Sequence, residues 1–256
     1  MPGESRYELE VDGQSVPVLA RYPDAAAPAP VIVFCHGLGG AETGYSGLGR
    51  LLAERGHAVL HPRFADAGVA QPRPMLFDPA HWMSRVRRVH AVIDALAEDD
   101  KLRSDRVVVA GHSFGAHTAQ AVAGADIGLA GTAHPAVAAA VLCSPQGSGD
   151  RGLTPRSWAG VRVPLLVVTA TGDLGPHGEG LEWRREPYDR SPSPWKHLAV
   201  LRGGDHFLGG FHGPGPTPAG ALIAAFADRV GGDAEAGAWL SAGPFPELFD
   251  HEEATS

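Results

Sequence analysis

The chain has 256 residues, 44% of them hydrophobic, which is enough apolar material for one large α/β core. Its formal charge of −8, from 29 acidic against 21 basic residues, argues against nucleic acid as a partner. Two cysteines are too few for a disulfide framework, and no apolar run approaches the ~18 residues of a membrane span.

In chain order, "MPGESRYELEVDG" lacks the basic and apolar regions of a secretory leader, so a cytoplasmic protein without membrane attachment is expected. "YELEVD" and "VPVLARY" alternate apolar and polar residues and predict an antiparallel hairpin with one wet face. The Ala/Pro-rich "YPDAAAPAP" (22–30) reads as a surface loop. "VIVFCH", "HAVLH", "RVVVAG", "VAAAVLCS" and "VPLLVVTA" are continuous apolar runs, as in parallel strands covered on both faces. Cys35 and Cys143 fall inside two of them and read as buried thiols. "HLAVL" is the candidate for the last strand.

Helical periodicity lies between these runs. It appears in "GLGRLLAER", in the stripe Trp82, Val86, Val89, Ile93 and Leu96, and in "TPAGALIAAFADRV". Arg85, Arg87 and Arg88 are expected on the solvated face of the second of these helices. The acidic end "DHEEATS" reads as a frayed tail over about residues 250–256. The alternation predicts one α/β domain over 1–256: a mostly parallel twisted sheet of about eight strands, helices on both faces, and an antiparallel N-terminal hairpin. Functional residues of such sheets collect at the carboxyl ends of the strands.

One such end carries "VVVAGHSFGAHTAQ" (107–120), where a run of valines stops in Gly111-His112-Ser113-Phe114-Gly115 and a small-residue helix begins. This is the G-x-S-x-G pattern in its strand–turn–helix context, which makes Ser113 the candidate nucleophile. Glycine on both sides removes collisions that a strained turn would otherwise create. "VIVFCHGLGG" ends a second strand in a glycine-rich loop, and the amides of Leu38 and Phe114 are candidates for an oxyanion hole. His36 is expected to brace that loop rather than move protons.

Thirteen histidines compete for the base. The loop "HLAVLRGGDHFLGG" offers His206, with His212 its nearest rival and His197 at the start of the strand. His112 and His117 adjoin the serine but are turned away from it by the elbow. "VPLLVVTATGD" ends at Asp173, the candidate acid, which completes the order Ser, Asp, His along the chain. Asp205 reads as a loop-bracing residue. No metal-ligand spacing occurs among the histidines and cysteines, so neither metal nor cofactor is expected.

Together "FCHGLGG", "VVVAGHSFGAHTA", "LLVVTATGD", "WRREPYDRSP" and "LAVLRGGDHFLGG" resemble the α/β-hydrolase superfamily. They look most like its bacterial dienelactone-hydrolase-like or platelet-activating-factor-acetylhydrolase-like branch. "AFADRVGGDAEAGAWL" resembles the closing helices of that branch. The resemblance implies a Ser-His-Asp triad, which maps onto Ser113, His206 and Asp173, and cleavage of a small-molecule carboxylic ester through an acyl-enzyme. Two departures stand out: dienelactone hydrolases proper carry cysteine where this chain has Ser113, and Ala170 replaces the glycine of T-G-T-x-D. A thioesterase, amidase or cofactor-free lyase would keep the same triad, and a ligand-binding protein with vestigial catalysis would keep the same fold. Segments 62–82 and 174–195 are expected to wall the site; their aromatics, with Phe64, Phe77 and Trp183 the candidates for contact with substrate, either line an acyl pocket or anchor these loops to the core.

Overall fold

The computed structural model describes residues 2–24, 28–210, 213, 215 and 217–255. Strands β1 (Gly3–Val11) and β2 (Gln14–Tyr22) pair antiparallel, with Val11 opposite Gln14 at the closed end. Asp12 and Gly13 join them with φ of 53° and 73°, the two left-handed residues of a tight hairpin turn. The predicted loop at 22–30 falls partly outside the described residues, and Ala29 already belongs to the next strand.

The remaining strands are β3 (Ala29–Cys35), β4 (Ala58–Pro62), β5 (Leu102–His112), β6 (Val137–Cys143), β7 (Leu165–Ala170), β8 (Trp195–Leu201) and β9 (Phe249–Thr255). They form one sheet in the order β1-β2-β4-β3-β5-β6-β7-β8-β9. Strands β3 to β8 run parallel, and β1, β2 and β9 enter antiparallel contacts at the two edges. Successive side chains of a strand point to opposite faces. Accordingly Val31, Val33 and Cys35 enter one apolar cluster, while Ile32 and Phe34 enter the other. Helices α2 (Pro79–Ala95) and α3 (Phe114–Val122) cover the first face. Helices α1 (Ser46–Glu54), α6 (Pro218–Gly231) and α7 (Ala234–Ser241) cover the second. The short α4 (Leu181–Arg184) and α5 (Glu186–Arg190) sit in the segment after β7. No described helix is long and apolar enough to cross a membrane.

Two expectations are corrected here. The acidic end is not frayed: residues 249–255 are β9, paired with β8 from Leu201 opposite Phe249 to Trp195 opposite Thr255. Phe249 anchors it in the core, and an edge strand with one wet face tolerates its acidic residues. Nor do all three arginines of α2 face water. Arg87 is half exposed beside Asp12, but Arg85 and Arg88 are buried.

Neighbours β3 and β5 define where a site can form. From β3 the chain steps to β4 on one side, then returns to β5 on the other, so the loops leaving their carboxyl ends diverge and open a crevice.

Candidate active site

Ser113 stands in that crevice between β5 and α3, with φ 55° and ψ −121°. A residue with a side chain is strained there, and the surroundings must hold it. Its own N–H donates to the Cys143 carbonyl on β6 at 2.9 Å. The flanking glycines are sterically required. A Cβ on Gly111 would run into the Gly115 carbonyl, and one on Gly115 into the Cys35 carbonyl of β3.

The other two polar partners arrive from separate loops. His206 follows β8 and brings Nε2 to 2.8 Å from Ser113 Oγ, while its Nδ1 lies 2.7 Å from Asp173 Oδ1. With Nδ1–H donating to the carboxylate, Nε2 is left to accept the serine proton. Asp173, after β7, is 1% exposed, and its Oδ2 accepts from Thr169 Oγ1 at 3.0 Å. Burial pushes its carboxyl up, but the His206 hydrogen bond and the Arg184 guanidinium outweigh that and hold it below the usual carboxylate range. The Thr171 and Gly172 amides donate to the Leu201 and Gly204 carbonyls, so the loops after β7 and β8 are tied to each other, with Ala170 buried at the end of β7.

Sequence reasoning missed two supports. Arg184 on α4 reaches Asp173 Oδ1 at 2.9 Å and spends its other N–H groups on the carbonyls of Asp173, Ser144, Pro145 and Leu174. Tyr45 accepts from the Gly37 amide at 3.3 Å and donates to His112 Nδ1 at 2.9 Å; His112 Nε2 then donates to the His206 carbonyl at 2.8 Å. The loop after β3 and the loop after β8 are thereby linked through one tyrosine and one histidine.

Among the described residues, the other candidate histidines bond to groups other than Ser113. His36 donates from Nδ1 to the Gly37 carbonyl and accepts from Phe64 N–H at Nε2, and burial together with Arg85 pushes its pKa down to about 3. It braces the loop as a neutral ring. His117 hydrogen-bonds the Arg151 carbonyl, and His197 pairs with His251. His212 lies outside the described residues. Asp205 accepts from the Phe207 amide at 2.9 Å, a local loop brace.

The cleft over Ser113 and His206 has a volume of about 240 Å³ and is walled by Leu38, Leu76, Phe114, Gln146, Arg151 and Leu174, among others. It falls below the ~300–1,000 Å³ of an enclosing ligand pocket, which suits an open site holding part of its substrate. The three candidate aromatic residues do not line it. Phe64 is 1% exposed beneath the loop after β3, 4.8 Å ring to ring from His36. Trp183 is buried with its Nε1 donating to the Ser148 carbonyl at 2.9 Å, so it anchors its loop. Phe77 stands 51% exposed at the rim, its ring centre 5.8 Å from the Arg151 guanidinium carbon. Leu76, one position earlier, faces the cleft instead.

A mostly parallel sheet with an antiparallel entry, a strained serine after β5 and polar loops after β7 and β8 defines an α/β hydrolase. Within that class the chain belongs to the chlorophyllase family, whose model matches residues 6–166. It is similar in fold to a cold-adapted esterase from an Arctic intertidal metagenomic library, bound to PEG. That match has 18% identity and a TM-score of 0.65, over 90% of this chain and 93% of the other. It is also similar to 2,6-dihydroxy-pseudo-oxynicotine hydrolase, with 20% identity and a TM-score of 0.65, over 89% of this chain and 67% of the other. No curated protein matches the chain in sequence.

Proposed function

We propose that this chain is a serine hydrolase that cleaves carboxylic esters through an acyl-enzyme. The observation that carries this reading is the unbroken relay from Ser113 Oγ to His206 Nε2 at 2.8 Å and from His206 Nδ1 to Asp173 at 2.7 Å. His206 takes the serine proton as Oγ attacks the ester carbonyl, and the buried Asp173 carboxylate stabilises the imidazolium that forms. His206 then returns the proton to the leaving alcohol, and water resolves the acyl-enzyme by the same path.

The developing oxyanion is assigned to the amides of Leu38 and Phe114, both residues of the cleft wall. Phe114 opens α3, so its N–H has no intrahelical acceptor and lies at the positive end of the helix. Leu38 sits between two pinned amides, Gly37 on Tyr45 Oη and Gly39 on Asp66. Each donor of this kind lowers the barrier by about 2.7–4 kcal/mol.

The name of the matched family, chlorophyllase, makes chlorophyll the first specific ester to test. Exposed Leu174 in the cleft wall and exposed Phe207 beside His206 suit a large apolar ester that is only partly enclosed. The test compares p-nitrophenyl esters of increasing chain length with detergent-dispersed chlorophyll, for the wild type and Ser113→Ala. The wild type should release p-nitrophenol with a burst. Ser113→Ala should lose about 10³-fold or more in kcat, with thermal unfolding nearly unchanged. Retained turnover in Ser113→Ala would move the nucleophile elsewhere, and chlorophyll cleavage would fix the substrate class.

A further inference from the structure

Beneath the cleft lies an ion pair that the relay does not use. Asp66 and Arg85 are both fully buried, with Arg85 Nη1 2.6 Å from Asp66 Oδ1. Two charges taken out of water need their remaining lone pairs and N–H groups matched. The groups that match them are informative. Asp66 Oδ2 accepts from the Gly39 amide at 2.8 Å, and its Oδ1 lies 3.1 Å from His81 Nε2. Arg85 Nη2 donates to the His36 carbonyl, and Nε donates to Thr118 Oγ1 at 3.0 Å. Thr118 in turn donates to the Phe114 carbonyl at 3.2 Å. The guanidinium carbon sits 3.8 Å from the Phe64 ring centre and 4.5 Å from that of Phe114.

The pair therefore grips the His36 carbonyl and the Gly39 amide, the backbone groups on either side of Gly37-Leu38. The same guanidinium lies against Phe114 and Thr118, on the helix that supplies the second donor. We infer that Asp66 and Arg85 are positioning residues that hold the Leu38 and Phe114 amides convergent on one oxygen. This rests on the esterase reading above. An apolar filler could occupy the same volume but could grip neither the carbonyl nor the amide.

Oxyanion donors act more strongly on the developing alkoxide than on the ground-state carbonyl, so their misplacement lowers kcat rather than raising KM. A misplacement near 1 Å can cost about 10²-fold in rate. The experiment measures kcat and KM for p-nitrophenyl butyrate, and inhibition by a trifluoromethyl ketone, whose serine adduct places an alkoxide in the hole. Full-length wild type, Arg85→Lys and Thr118→Val are compared, with folding followed by circular dichroism. Arg85→Lys keeps a cation for Asp66 but loses the fork. It should lower kcat about 10- to 100-fold, leave KM within about twofold, and weaken the ketone by the factor lost in kcat. Thr118→Val should move the same way by about threefold or more, and it decides the matter alone if Arg85→Lys does not fold. Folded variants with wild-type kcat and ketone affinity, or with the whole loss in KM, would overturn the inference. A wild type inactive on the ester would instead overturn the functional reading on which it rests.

Discussion

At Gly115 the elbow leaves no space for even a methyl group, because β3 passes directly behind it at the Cys35 carbonyl. Gly115→Ala should therefore lose about 1–3 kcal/mol by overpacking, visible as a lower urea midpoint, together with lower esterase activity as Ser113 is displaced. A variant as stable and active as the wild type would show that the turn can shift without penalty. The meeting of Ser113, His206 and Asp173 was legible because each follows an apolar strand, and strand ends are readable from local sequence. Arg184 and Tyr45 were not. Arg184 binds chiefly backbone carbonyls, which carry no sequence signature, and Tyr45 meets a histidine 67 positions away. The loop aromatics stayed undecided for a related reason: composition does not distinguish a ring that anchors a loop, such as Trp183, from one that faces a ligand.

At the scale of elements, the parallel strands announced themselves as unbroken apolar runs, whereas β9 did not. Of its seven residues only Phe249 is both apolar and buried, so charge concealed a strand that backbone pairing with β8 secures. Phe249→Ala should cost about 3–5 kcal/mol in urea unfolding. A loss under about 1 kcal/mol would mean that strand pairing alone fixes the C-terminal edge. Helix α2 offers the opposite lesson. Its apolar stripe contained the information about Arg85, which lies three positions after Trp82 and four before Val89, hence on the same inward face. Residue type suggested water, helical geometry specified the interior, and Asp66 made the interior tolerable.

Over the whole molecule, buried titratable groups set the response to acid. Burial first, and neighbouring arginines second for His36 and His61, push His36, His61 and His117 down to about 3. Between that value and about 6.5 the unfolded chain binds protons that the folded chain refuses, so stability falls as pH drops through this window. Each ring contributes a slope of about 1.4 kcal/mol per pH unit. Asp66, Asp173 and Asp228 are held below the ordinary carboxylate value, so their contribution is present above about 4 and is lost only below it. Urea unfolding should show near-constant stability above about pH 6.5 and a steep decline beneath it. His61→Asn, at a site remote from the relay, should flatten that decline by up to about one quarter, since burial also lowers His197, to about 4; an unchanged slope would mean that this ring takes up its proton in the folded state. A proton-linked property of this kind was not visible in the sequence, where thirteen histidines look alike until burial separates them.

The most direct test of the catalytic assignment is to label the folded protein with a fluorophosphonate and map the modified peptide. The account predicts a single adduct on Ser113, absent from Ser113→Ala and formed far more slowly in His206→Gln. An adduct on a different side chain, or labelling of Ser113→Ala at the wild-type rate, would contradict it.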